Sequence, residues 1–363
     1  MNFNGSLYFS DKRCFFAAAN GYSGFRSYFH EFFRPDDYTR IFVLKGGPGT
    51  GKSRLLRSVG TVFEDSGCHV DWIFCSSDPA SLDGVILMEG GRRVALLDGT
   101  APHERDAVVP GAVDTLINLG DGWDEEALIH RRPDILTLTK VKQAEYKKAY
   151  EYLHLCSDYD EKIKAEAVRS IGEAQLHACI DTLLSGKKAN ENATPIRRPI
   201  GAFCRFGYIT LPTYEHIAQT VLYPVGHAAL RSVFVHELSR EAAKRGIAHL
   251  RSPSPFTDDA TDAVFFTDDR VAVVAYPPVD EAGAIPVELP SSRTPFPDSA
   301  VTVCEEVQRE LLLKAERSLS CASEAHASLE RIYTAAMNFE NNDRLIDTLI
   351  HRIKGILYEG YRK

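Results

Sequence analysis

The sequence predicts an α/β protein of two tandem halves, each built on a parallel sheet and followed by a long helical arm. Three observations support this fold class. A glycine-rich turn at 46–51 stands between a short apolar run and a helical pattern. Short stretches of 47–98 recur near 226–275 at an almost constant offset. Two stretches, 134–185 and 299–363, contain few glycines, no proline and helical spacing of apolar residues.

The turn and the start of its helix have the composition of a phosphate-binding loop. The eight residues are Gly46, Gly47, Pro48, Gly49, Thr50, Gly51, Lys52 and Ser53. The run 41–45 before them predicts a buried strand, and 52–65 predicts the following helix, which is the context this motif requires. Glycines let the backbone approach phosphate oxygens, and the helix N-terminus adds a partial positive charge. We therefore expect a P-loop NTPase-like half in which all eight residues bind nucleotide, Lys52 is catalytic and Ser53 is a Mg²⁺ ligand.

An acidic residue should complete such a site. The stretches 69–75 and 93–98 predict two further strands, and alternation of strands with helices predicts parallel pairing, with ligands beyond the carboxyl ends. Asp98 closes the second of these strands, so we expect it to be a catalytic, Walker B-type ligand of Mg²⁺. Glu104 follows on the same edge and is expected to polarise water. The alternatives are a simple turn at Asp98-Gly99 and a polar loop at Glu104 and its neighbour His103.

The second half is expected to be a degenerate copy of the first. Asp83 and Asp262 are separated by 262 − 83 = 179 positions, and both begin a similar tripeptide. The same offset places 225–232 opposite the glycine-rich loop. The alternative is that the repeat consists of two unrelated α/β segments.

Three replacements in the second half remove the chemistry of the first. Leu230 stands opposite Gly51 and Arg231 opposite Lys52; after a two-residue shortening of the second copy, which makes the offset 177, Ala275 stands opposite Asp98. A bulky side chain now stands where the backbone should approach phosphate, and the metal-binding acid is missing. We expect no nucleotide to bind there.

The domain boundaries follow from composition. We predict a P-loop NTPase domain at 1–133, a helical arm at 134–190, a degenerate domain at 200–298 and a second arm at 299–363. The first arm is expected to bend near 156–160, and 186–199 predicts a linker. The apolar stripe of the second arm predicts core packing, or a surface for a protein partner or self-association.

Composition excludes several classes of protein. The chain of 363 residues carries a net charge of −8, which argues against a nonspecific nucleic-acid binder. It contains no apolar run long enough to span a bilayer and no signal-peptide pattern, so we expect a cytoplasmic protein without a membrane partner. Its eight cysteines include no CxxC pair, which argues against a zinc site.

Four segments together resemble an uncharacterised family of bacterial tandem P-loop ATP-binding proteins. They are 45–53, 75–86, 97–103 and 118–126. The resemblance covers essentially the whole chain, implies ATP as the ligand and identifies no substrate. The chain departs from the family at 225–232, because the second half of such proteins often keeps a recognisable loop.

Three functions fit these observations. The first is a Mg²⁺-dependent ATPase whose nucleotide state controls contact between an active and a pseudo-NTPase half. The second is a kinase for a nucleotide or another small molecule, which requires a second concave site and a lid. The third is a non-hydrolysing regulatory module that binds ATP.

Overall fold

The computed structural model describes residues 12–102, 105–190, 193–279, 282–289 and 296–359. The chain divides into two compact units that alternate along the sequence. The loop unit, which contains the glycine-rich turn, consists of Lys12–Ala18, Ser27–Lys147 and Ser318–Lys363. The described part of the second unit lies within Ala19–Arg26 and Lys148–Arg317. The four contiguous ranges expected from the sequence stay a prediction.

The strands and helices of the described residues are numbered in chain order. The strands are β1 (Arg13–Phe16), β2 (Ala18–Gly21), β3 (Gly24–Ser27), β4 (Arg40–Lys45), β5 (His69–Phe74), β6 (Leu82–Glu89), β7 (Arg92–Asp98), β8 (Asp114–Asn118), β9 (Ile196–Arg197), β10 (Gly201–Cys204), β11 (Gly207–Thr210), β12 (Thr220–Val225), β13 (His249–Pro253), β14 (Thr261–Phe266), β15 (Val271–Val274) and β16 (Ile285–Glu288). The helices are α1 (Phe29–Phe32), α2 (Lys52–Asp65), α3 (Glu125–His130), α4 (Arg132–Ile171), α5 (Glu173–Leu184), α6 (Thr213–Ile217), α7 (Ala228–Lys244), α8 (Ser299–Ala335) and α9 (Glu340–Lys354).

The two large sheets have the same topology. The sheet of the loop unit has the order β1-β5-β6-β7-β4-β8, and the sheet of the second unit has the order β9-β13-β14-β15-β12-β16. Each described sheet contains three parallel and two antiparallel pairings at matching positions. The chain therefore consists of two α/β halves with one strand order, as the sequence repeat predicts.

The expectation of a parallel sheet is correct for only part of each sheet. In the loop unit, β6 runs antiparallel to both of its neighbours. The two residues between β6 and β7, Gly90 and Gly91, have φ of 53° and 77°. A two-residue turn with two positive φ angles joins antiparallel strands in a hairpin. The Gly90-Gly91 pair in the sequence indicates this hairpin. The prediction of alternating strands and helices did not include it.

One local expectation about the first arm is also wrong, and the linker after it contains a short strand. Helix α4 continues through 156–160 without the predicted bend, and the helical stretch breaks at Gly172, whose φ is 82°. The predicted linker at 186–199 supplies the edge strand β9, which pairs with β13. Both long arms are helical over most of their length, as expected.

Helix α2, which follows the glycine-rich turn, packs closely on the sheet of the loop unit. Its buried side chains are Leu55, Leu56, Val59 and Phe63. Gly60 faces the sheet, where a Cβ atom would lie 2.4 Å from Cη2 of Trp72 and 3.1 Å from Cγ2 of Val85. The Trp72 ring is held in place because its Nε1 donates to Glu64 at 2.9 Å. This close approach sets the position of α2. Within the described residues, no helix combines the length and apolar character needed to cross a membrane.

We predict that Gly60→Ala destabilises the protein by about 1–3 kcal/mol, because the added methyl group overpacks a fixed indole ring. Gly355→Ala is the matched control: no atom lies within 4 Å of its added Cβ, and its φ of −59° is helical. Urea unfolding of the two variants measures the difference. Equal midpoints for the two variants would show that α2 is free to move away from the sheet.

Candidate functional site

The glycine-rich turn has the predicted strand–turn–helix setting. Strand β4 ends at Lys45 and α2 begins at Lys52. Gly49 and Gly51 have φ of 71° and 85°, a conformation that glycine adopts without steric cost. Of the eight residues 46–53, Thr50 is buried and the others are partly exposed. The turn is therefore partly accessible to solvent, and its backbone adopts a conformation that favours glycine at two positions.

The Lys52 ammonium group lies inside the turn. Its Nζ donates hydrogen bonds of 2.8 Å to the carbonyl oxygens of Gly46 and Gly47 and lies 3.6 Å from Oδ2 of Asp98. Only 11% of the Lys52 side chain is exposed. A cation in this position is ready to exchange the two carbonyl oxygens for the oxygens of an anionic ligand.

Asp98 binds Thr100 with one carboxylate oxygen and faces Lys52 with the other. It ends β7, which pairs in parallel with β4, so that Asp98 lies opposite Leu44. Its Oδ1 accepts hydrogen bonds from the Thr100 amide at 2.9 Å and the Thr100 hydroxyl at 2.5 Å. Burial raises the pKa of Asp98, while the Lys52 ammonium and the Thr100 bonds act against that rise. Thr100 thus fixes one oxygen, and the other faces Lys52.

Ser53 is placed at the same edge of the sheet. It lies in the first turn of α2, and its Oγ accepts a 3.0 Å hydrogen bond from the Leu82 amide at the start of β6. Glu104 and its neighbour His103 lie outside the described residues, so the role expected of Glu104 stays a prediction. In the described part of the chain, no group of three or more His, Cys, Asp or Glu residues is arranged to hold a metal ion. A Mg²⁺ ion bound chiefly by phosphates and water needs only one or two protein ligands.

Further titratable residues also lie near Lys52. Burial lowers the pKa of His326, and the cations Lys142 and Lys52 add to this effect while Asp78 opposes it. Burial and Asp78 raise the pKa of Glu330, against the effect of the two lysines. His326 Nε2 lies 3.6 Å from Oε1 of Glu330. These groups come from α4, α8 and the loop after β5, and no local sequence pattern connects them.

The corresponding connection in the second half is much shorter. Only Gly226 and His227 separate β12 from α7, where six residues separate β4 from α2. The Arg231 side chain closes this connection, since Nη1 donates to the Gly226 carbonyl at 2.5 Å and Nε donates to the Ala275 carbonyl at 2.7 Å. Leu230 lies within the first turn of α7 and not in a loop, which corrects the residue-by-residue pairing expected from the sequence. The connection lacks the length to wrap around a phosphate group.

The arrangement in the loop unit brings together a cation, a hydroxyl, a carboxylate and a helix N-terminus. These groups suit an anionic ligand with a divalent cation. The residues that sequence reasoning missed are those contributed by the helical arms. Comparison of the chain with models of protein families, with curated proteins and with solved structures finds no match.

Proposed function

We propose that the chain binds ATP with Mg²⁺ at residues 46–53 and hydrolyses it. The observation that carries this proposal is the Lys52 ammonium, held by two carbonyl groups of the turn and close to Asp98. A lysine at the first helical position, beneath a turn with left-handed glycines, is the arrangement by which a phosphate-binding loop holds the β- and γ-phosphates. Membership of the tandem P-loop ATP-binding family, which four segments of the sequence resemble, belongs to the same proposal.

The residues present fit a nucleotide and its metal ion. The phosphates would replace the carbonyl groups at Lys52 and face the N-terminus of α2. The Ser53 hydroxyl would bind Mg²⁺ directly, and Asp98 would hold it through water. The ion would neutralise charge on the phosphates when bound. Glu104 is proposed to orient the attacking water.

The cellular compartment, the role of the second half and the partners belong to the same proposal. All eight cysteines, each within the described residues, carry free thiols, which agrees with a reducing cytoplasm. The second half is proposed to bind no nucleotide and to respond to the nucleotide state of the first. The nucleotide state is proposed to control binding of a protein partner, or self-association, through the helical arms.

A specific observation favours phosphoryl transfer to a second substrate as another candidate function. The titratable side chains of Asp78, Lys142, His326 and Glu330 lie within electrostatic range of Lys52. They offer a polar surface where an acceptor could bind. Phosphate release from ATP, measured with and without nucleotide acceptors, separates the candidates. Phosphate release without an acceptor supports the ATPase, and transfer of the γ-phosphate to an acceptor supports the kinase. ATP binding without phosphate release or transfer supports the regulatory module.

We predict that Lys52→Ala weakens ATP binding about ten- to a hundredfold, because it removes a charge-assisted contact of about 1.5–3 kcal/mol. Lys140→Ala, which removes an exposed lysine of the same unit, is the control and should bind as the wild type does. Calorimetric titration with ATP and Mg²⁺ makes the comparison. Wild-type affinity in a folded Lys52→Ala protein would rule out the proposed site.

We predict that Asp98→Asn preserves the fold and much of the nucleotide binding but lowers the hydrolysis rate at least tenfold, because the amide is a poor partner for Mg²⁺. The ionised carboxylate holds the metal, so wild-type turnover should fall as pH decreases through the raised pKa of Asp98. Steady-state phosphate release measures both effects. Asp65→Asn, at the exposed end of α2, is the control. Hydrolysis at the wild-type rate in Asp98→Asn would rule out a role for Asp98 in holding the metal ion and leave it only its turn-forming bonds to Thr100.

A further inference from the structure

The end of the chain packs directly against the glycine-rich turn. We call residues 333–343 the elbow, because they contain the end of α8, the connection and the start of α9. A Cβ atom on Gly49 would lie 2.7 Å from Oγ1 of Thr334, and one on Gly51 would lie 3.4 Å from the Phe339 ring and 3.5 Å from Nδ2 of Asn342. The elbow therefore touches the turn at Gly49 and Gly51.

Two side chains of the elbow reach carbonyl groups of the turn. Nδ2 of Asn342 donates to the carbonyl oxygen of Thr50 at 2.8 Å, and both residues are buried. The Thr50 hydroxyl in turn donates to the Gly47 carbonyl at 2.9 Å. Thr334 Oγ1 also approaches the Gly49 carbonyl, at the long distance of 3.5 Å. The Asn342 bond is thus the stronger of the two links.

This bond fixes more than a carbonyl group. The peptide group is planar and trans, so its C=O and N–H bonds point in opposite directions. Because Asn342 holds the Thr50 carbonyl towards α9, the N–H of Gly51 must point away from the elbow. That N–H precedes Lys52 and is one of the donors that a phosphate-binding loop offers to its ligand.

The elbow is itself anchored at several points. The amide of Asp124 donates to the Ala336 carbonyl at 2.7 Å, and the amide of Asn338 donates to the Gly122 carbonyl at 2.9 Å. The Trp123 and Tyr333 rings lie 5.7 Å apart. These contacts leave Asn342 little freedom to follow a displaced turn.

We propose that Asn342 is a positioning residue for the phosphate site, and that the elbow holds the Gly51 N–H in the direction a bound phosphate requires. The proposal rests on the proposed function, since it assigns the bound anion to the phosphates of ATP. It makes the turn and the elbow energetically coupled, so a ligand that binds the turn also stabilises the elbow.

Asn342→Asp tests the proposal with a closely matched control. The carboxylate has nearly the shape of the amide but lacks the N–H donor and repels the Thr50 carbonyl. The neighbouring Asn341 is exposed, so Asn341→Asp makes the same charge change beside it without touching the turn. In calorimetric titrations with ATP and Mg²⁺, we expect Asn342→Asp to bind about tenfold more weakly than both the wild type and Asn341→Asp. Equal affinities for the two variants would overturn the proposal.

Hydrogen exchange provides a second test, and the measurement on wild-type protein does not depend on the folding of a variant. Saturating ATP and Mg²⁺ should slow exchange in the elbow as well as in the turn. In Asn342→Asp, saturating ATP should still protect the start of α2 but protect the elbow less, which a general loss of stability would not produce. Protection of wild-type protein confined to 46–53 would overturn the coupling while leaving the nucleotide site intact. Failure of the wild type to bind ATP would instead overturn the proposed function and this inference with it.

Discussion

The arrangement of the candidate site depends on one constraint, the left-handed backbone of Gly49 and Gly51 in the connection between β4 and α2. This conformation lets the chain fold back on itself within six residues, so that the carbonyl groups of Gly46 and Gly47 converge on the Lys52 ammonium. It also leaves room for the elbow, because side chains at these glycines would collide with Thr334 or crowd Phe339. The parallel pairing of β4 with β7 then brings Asp98 to the same edge.

The second half has the same sheet topology without a glycine-rich turn. It keeps the six-strand order and the pairing directions of the loop unit, so neither depends on a long glycine-rich turn. Its β12–α7 connection is two residues long, and the Arg231 guanidinium donates to the carbonyl of Gly226 within it and to the carbonyl of Ala275 after β15. An arginine there satisfies the same kind of backbone acceptor that Lys52 does, in a connection too short to enclose phosphate. The shared sheet thus supports a six-residue glycine-rich turn in one half and a two-residue connection in the other.

The features that sequence reasoning found are local ones. Strands β4, β5 and β7, helix α2 and the turn between β4 and α2 follow from apolar runs and glycine spacing within 40–98. The short edge strands β1 and β9 were missed because four or two residues carry no periodicity. The hydrogen bond from Asn342 could not be predicted from the sequence, because 292 positions separate Asn342 from Thr50. Only the path of α8 and α9 brings the two residues together. A single asparagine within a helix carries no sign of a tertiary hydrogen bond.

The central claim of this account is that one half of the chain has a nucleotide site and the other has lost it. The stoichiometry of ATP binding in the presence of Mg²⁺ tests this claim most directly, by titration calorimetry on wild-type protein of known active concentration. The account predicts a single equivalent of ATP per chain. Two equivalents, or one that persists when the glycine-rich turn is replaced by a short connection like that of the second half, would contradict it.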